Sequence, residues 1–190
     1  MSPEIFLTGP RVTIRSYTRE DLERQQTWPL FDDPLLESYM PRHEPGELSA
    51  AWLRLIRRVE YMRYAIDDVF GDLVGTVSLR DLVEGIPAAR LGIVLRSDRC
   101  GAGLGTEALR LFVTRCLEGD ALQRIDLDVA AYNTRAIGCY RKLGFRTLGE
   151  RWQAVNIDPD QVPTDALRAP YWRVNGDDVD VLHLDMAITR

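Results

Sequence analysis

The residues with the clearest capacity for chemistry lie between positions 99 and 145. Arg99-Cys100-Gly101-Ala102-Gly103-Leu104-Gly105-Thr106 follows an apolar run and opens a stretch of helical spacing. Alternate glycines let the backbone turn tightly and approach a ligand. A helix start adds unpaired N–H groups and a positive dipole end. That combination suits a pyrophosphate or another anion. A second group follows at Asn133 and Tyr140, seven residues apart. On a helix they lie about two turns apart on nearly one face. Asn133 is placed to cap that helix, and Tyr140 offers a phenol that can give a proton. Read alone, the same tyrosine fits better as an amphipathic ring packed in a core.

A dinucleotide-binding turn is one alternative. Gly103, Gly105 and Ala108 fit G-x-G-x-x-A, and Asp126 and Asp128 follow about 20 residues on. That motif opens a long series of parallel strand-helix units. Only 82 residues remain after Ala108, too few for a six-stranded doubly wound sheet.

The pattern of the chain says what must position these groups. Residues 12–18 begin a first strand, and Thr18 with Asp21 forms a capping signal for a helix. Residues 29–46 are rich in proline and predict turns and short helices. A helix follows over 47–60. Strands are predicted at 61–67, 73–82 and 88–95, making a meander. Helix 103–118, strand 124–129, helix 133–143 and strand 145–155 come next, with Gly144 as the helix stop. A long polar loop over 156–178 precedes a cleanly alternating strand, 179–188. This order predicts one mixed α/β (α+β) domain over 1–190: a central, mostly antiparallel sheet flanked by helices.

Composition bounds the rest. The chain has 190 residues, 45% apolar and 28% charged, with net charge −5. These are values of a soluble globular protein, and they disfavour a nucleic-acid binder that uses its whole surface. No apolar run reaches the ~18 residues of a membrane span. MSPEIFLTGPRVTIR lacks the pattern of a signal peptide. Cys100, Cys116 and Cys139 are too far apart to pair as a metal knuckle. They read as reduced thiols, which places the protein in the cytoplasm. His43 and His183 lie far apart, and neither a zinc site nor a Cys-His nucleophile is assigned to them.

The loop R-C-G-A-G-L-G-T-E-A-L (99–109), followed by A-Y-N-T-R-A-I-G-C-Y-R-K-L-G-F (131–145), resembles the GNAT superfamily of N-acetyltransferases. The likeness extends over roughly residues 10–190. The opening V-T-I-R-S-Y-T-R-E-D-L is similar to the branch with ribosomal-protein N-terminal and spermidine acetyltransferases.

The resemblance implies acetyl-CoA as cosubstrate and no metal. It implies transfer of acetyl to a primary amine, either a small molecule or a peptide N-terminus, by direct attack on the thioester. It assigns the pyrophosphate to the backbone of Gly101, Ala102, Gly103, Leu104, Gly105 and Thr106. Ile93, Val94 and Leu95 would pair with the pantetheine arm, and one of their N–H groups would polarise the thioester carbonyl. Asn133 would contact the cofactor arm, and Tyr140 would protonate the leaving thiolate.

Two positions depart from the family pattern. Cys100 stands where Arg or Gln is usual, so Arg99 is the side chain expected at the phosphates. Arg90 stands where many relatives carry a glutamate base, so the base falls to Asp126 or Asp128; we take Asp128. The acceptor would enter between residues 28–46 and 156–178, where Trp28, Trp152, Trp172 and several aspartates could receive a cationic amine. No nucleic acid or membrane partner is implied. Many relatives pair, so a homodimer is among the assemblies it admits. The rival readings are a CoA-binding module without turnover, a nicotinamide-dinucleotide binder and a structural domain.

Overall fold

The computed structural model describes residues 7–82, 85–118 and 122–190. The first six residues of the segment read for a signal peptide lie outside them. Its elements are β1 (Leu7–Thr8), β2 (Val12–Ser16), α1 (Arg19–Gln25), α2 (Pro34–Ser38), α3 (Leu48–Ile56), β3 (Tyr61–Asp68), β4 (Leu73–Arg80), β5 (Ala88–Leu95), α4 (Leu104–Glu118), β6 (Arg124–Ala130), α5 (Thr134–Lys142), β7 (Arg146–Val155), β8 (Trp172–Asn175) and β9 (Asp178–Thr189). The strands run in the order β1-β2-β3-β4-β5-β6-β9-β7, with β8 on β9. Among the described residues this makes a mixed α/β structure around a nine-stranded sheet; the mostly antiparallel sheet flanked by helices is as the sequence predicts, whereas the short strands β1 and β8 are additions. Among the described residues, no helix is long and apolar enough to cross a membrane.

The chain separates into two units. One holds the described residues up to Pro29, Pro41–Ile125 and Thr189–Arg190; the other holds Leu30–Met40 and Asp126–Ile188.

In the first unit, β1 to β5 form an antiparallel meander. Val12 and Ile14 alternate inward on β2, as Tyr64 and Ile66 do on β3. These side chains meet the apolar stripe of α4, whose Ala108, Leu109 and Phe112 are buried. The Tyr64 and Phe112 rings lie 5.3 Å apart. Thr18 and Asp21 cap α1 reciprocally, as their spacing predicts. Asp21 also receives two bonds from Arg15, at 2.7 and 2.8 Å, while Arg15 reaches Asp67 at 2.6 Å.

In the second unit, β7 and β8 pair antiparallel with β9. Leu35, Ala130, Ile157, Trp172, Val179 and Val181 form its core. The β7 register shifts between Thr147 and Gly149, where the sequence shows a glycine interruption. The segment expected to be one long loop contains short 3-10 turns at Pro159–Gln161 and Ala169–Tyr171, and the strand β8. Gly176-Asp177 makes the two-residue turn from β8 into β9, with Gly176 at φ +63°.

Candidate active site

The first unit builds the glycine loop. β5 ends at Leu95, a 3-10 turn covers Ser97–Arg99, and α4 starts at Leu104. Gly101 and Gly103 have φ of +84° and +82°, a region costly for residues with a Cβ. A Cβ on Gly105 would lie 2.8 Å from Leu95 Cδ1, so glycine lets α4 sit directly on β5. Ile93 and Leu95 therefore face α4, and Val94 faces the other side of the sheet.

Arg11 holds this loop from far away in the chain, a contact that no local sequence pattern announces. Its Nη1 donates to Ala102 O at 2.9 Å and its Nη2 to Gly103 O at 3.4 Å. Its backbone N–H and Nε both donate to the Glu107 carboxylate, at 2.7 and 2.8 Å. Burial would raise the Glu107 carboxyl, but these bonds hold it below its usual range. In a planar trans peptide the N–H points opposite the C=O. With both carbonyls turned to Arg11, the N–H groups of Gly103 and Leu104 point away from it. The first N–H groups of α4 have no acceptor inside the helix. The loop thus presents a row of donors on the side opposite Arg11, which fits an anionic pyrophosphate.

Arg99, expected at the phosphates, faces Asp68 and Asp72 through Nη2 at 3.4 and 3.5 Å. Arg90 lies 3.5 Å from Asp81. Trp28 is buried in this unit.

The second unit carries Asp128, Asn133 and Tyr140. On β6, Leu127 and Val129 are buried, and Asp126 and Asp128 share the opposite, half-buried face. Asn133 caps α5, its Oδ1 accepting from the Ala136 N–H at 3.1 Å. Its amide NH2 remains the group suited to a cofactor carbonyl. Tyr140 sits two turns on, near the end of α5. Gly144, at φ +99°, lets the chain reverse there, so Gly144 N–H reaches Arg141 O and Phe145 N–H reaches Tyr140 O. This is the Schellman arrangement, and its usual apolar contact is made by Tyr140 and Phe145, with rings 5.8 Å apart. The helix stop therefore also fixes the Tyr140 ring.

The Tyr140 hydroxyl has no hydrogen-bond partner among the described residues. Burial pushes its phenol above the ordinary value, and the nearby Cys139, Asp128 and Tyr39 push the same way. Asp128 and Tyr140 are thus brought within electrostatic reach of each other.

The expected acceptor-side residues have local partners. Asp158 caps the turn at Asp160 with a 3.0 Å bond. Asp165 binds Arg168 at 2.6 Å, and Arg168 also meets Asp33 at 3.3 Å. Asp33 caps α2 and accepts from the Tyr132 hydroxyl at 3.0 Å. Trp172 belongs to the core and stacks on Tyr132, and Trp152 lies under Arg173 at 3.6 Å.

A family model described as acetyltransferase (GNAT) domain matches residues 11–146. The chain belongs to the GNAT acetyltransferase family. It is a family of N-acetyltransferases, as the paired motifs imply. Solved structures share its fold at low identity. The spermidine N-acetyltransferase of Vibrio cholerae, in complex with CoA and spermine, has a TM-score of 0.70 at 21% identity, over 95% of this chain and 96% of that one. A GNAT-family acetyltransferase from Bacillus anthracis has 0.67 at 17%, over 97% and 98%. The Vibrio cholerae enzyme in complex with manganese ions has 0.65 at 20%, over 94% and 92%. Among the described residues of this chain, no group of three or more His, Cys, Asp or Glu is placed to hold a metal ion. No curated protein matches the sequence.

Proposed function

We propose that this GNAT protein transfers an acetyl group from acetyl-CoA to a primary amine by direct attack on the thioester. The observation that carries the reading is Tyr140: a buried, protonated phenol with no hydrogen-bond partner among the described residues, held at the end of α5 by the Gly144 stop. In this reading residues 1–190 act as one catalytic domain in the cytoplasm.

The first unit's groups hold the cosubstrate. The N–H groups of the Gly101–Thr106 segment bind the pyrophosphate, backed by the Arg11 clamp, and Ile93–Leu95 meet the pantetheine arm. The second unit's groups handle the rest: the Asn133 amide steadies the arm, and Tyr140 gives its proton to the departing sulfur. An aliphatic ammonium, pKa near ~10.4, is almost wholly protonated at pH 7. A proton acceptor is therefore needed, and Asp128 is one candidate.

The acceptor class to test first is a polyamine, because the Vibrio cholerae relative is seen with spermine; a peptide N-terminus is the second. The experiment is a thermal-shift titration with acetyl-CoA, CoA and NADH, followed by thiol release with spermine and a model peptide. Saturation a hundredfold above Kd stabilises the folded state by about 2.7 kcal/mol. A shift with acetyl-CoA and thiol release that depends on the amine are expected. A shift with NADH alone, or none, overturns the reading. Binding without thiol release favours a CoA-binding module.

A further inference from the structure

Two groups of the second unit stand outside these assignments. His183 lies on β9 with 0% exposure, at a position that the alternation of Val179 and Val181 gives to the core. Its Nδ1 is 3.1 Å from the Val181 carbonyl oxygen. A carbonyl only accepts, so Nδ1 carries a proton, and the neutral ring keeps its lone pair on Nε2. That nitrogen lies 3.4 Å from the hydroxyl of Tyr39, the C-cap of α2. Tyr39 is 47% exposed. A wholly buried base is thus linked to the surface through one phenol. With its O–H directed at Nε2, a phenol oxygen keeps the capacity to accept a hydrogen bond from a donor. Catalytic hydrogen bonds of this length tighten when substrate binds.

The surroundings suit the same use. Tyr39 lies within electrostatic reach of both Tyr140 and Tyr132. Tyr132 is anchored to Asp33, which Arg168 also contacts. Asp128 acts on Tyr140 from β6. Arg151 stands opposite His183 in the β7–β9 register, and its charge is matched by Asp185 at 3.1 Å.

We propose that Tyr39 and His183 form the proton-accepting limb of the reaction, an inference that rests on the acetyltransferase reading above. An ammonium acceptor loses two protons in becoming an amide. The limb takes the first: it passes to the Tyr39 oxygen while the Tyr39 hydroxyl proton passes to His183 Nε2. The freed lone pair forms the N–C bond, and the C–S bond breaks. Tyr140 supplies the proton that the sulfur gains, and the second proton of the amine restores Tyr140. His183 returns its proton through Tyr39 to water.

The test uses the full chain with acetyl-CoA and an amine found to be acetylated. In Tyr39→Phe, kcat/KM at pH 7 is expected to fall about 100-fold, the scale of one acid-base catalyst. It is expected to recover as pH rises toward the amine's own pKa, with the acetyl-CoA thermal shift unchanged. A Tyr39→Phe enzyme with the wild-type rate and pH profile overturns the proposal. So does an alkaline-rescued loss in Asp128→Asn with Tyr39→Phe unaffected, which gives the base to Asp128. Replacing buried His183 endangers folding, so nitrogen NMR supplies an arm without turnover. The chain has two histidines, and His183 is expected with Nδ1 protonated, Nε2 bare and an Nε2 resonance that moves in Tyr39→Phe. An Nε2-protonated neutral ring overturns the limb. Wild-type protein that neither binds acetyl-CoA nor acetylates any amine overturns the underlying reading as well, an outcome distinct from a variant that behaves as wild type.

Discussion

A general acid must hold its proton until the leaving group needs it, and the surroundings of Tyr140 favour that. Burial and the neighbouring Cys139, Asp128 and Tyr39 raise its phenol above the ordinary ~10. It is therefore protonated across the whole neutral and mildly alkaline range. The rate is expected to show no alkaline decline from this group below about pH 10. A pH profile of kcat checks this, and a falling limb at pH 8–9 would assign the acid elsewhere. Tyr140→Phe is expected to lower kcat by about 100-fold or more while leaving the acetyl-CoA thermal shift in place. That Asn133 and Tyr140 share one helix was legible from their seven-residue spacing, while the roles proposed for them come from the family resemblance. The place of Arg11 was not legible. Its bonds to Ala102 and Gly103 join positions 91 and 92 apart in sequence, and no local pattern announces them. The Tyr39–His183 contact spans 144 positions and is hidden for the same reason.

The elements depend on a few backbone positions. At Gly144 the left-handed turn ends α5, aligns Phe145 against Tyr140 and starts β7. Its neighbour Ile188 Cδ1 would lie 3.4 Å from an added Cβ, an ordinary contact. The cost of Gly144→Ala is therefore conformational, about 1–2 kcal/mol. It should lower the melting midpoint and also kcat, because the turn that positions Tyr140 is strained. Gly138→Ala is the control: it lies inside α5 with no neighbouring atom within 4 Å of an added Cβ. That change should stabilise the helix by up to about 1 kcal/mol. Equal effects of the two substitutions would mean that Gly144 is not a conformational stop. The same chemistry explains what was readable. Strand 88–95 was visible as an apolar run between turn signals, and its bounds agree with β5. Strand β8 escapes the sequence pattern, although the two-residue Gly176-Asp177 turn joins it directly to β9. Proline and aspartate around it made the whole segment look like loop. Helix α3 ends at Ile56, four residues short of the expected end, because little of its surface is buried beyond Ala51.

For the whole molecule, the charged groups that matter to stability are those withdrawn from water. The chain has 24 basic and 29 acidic residues, most of them solvated. Asp21 is 1% exposed and is held by Arg15, which also grips Asp67. The pair ties α1 to β2 and, through Asp67, to β3. Burial alone would raise the Asp21 carboxyl, but the bonds from Arg15 and Thr18 win and lower it. A lowered folded pKa stabilises the native state fully above the unfolded value near ~4, and the benefit is lost as pH falls through the folded value. The melting midpoint is therefore expected to change little between pH 7 and 5 and to fall below about pH 4. Arg15→Ala leaves a buried carboxylate without its cation and is expected to cost about 3 kcal/mol at pH 7. It should also flatten the acid slope, because protonating Asp21 then relieves an unpaired charge instead of breaking an ion pair. Thermal melts of wild type and variant from pH 7 to pH 3 measure both effects. A variant that loses stability at pH 7 but keeps the wild-type slope would move the acid sensitivity to other carboxylates, with Glu107 under its Arg11 clamp the next to substitute.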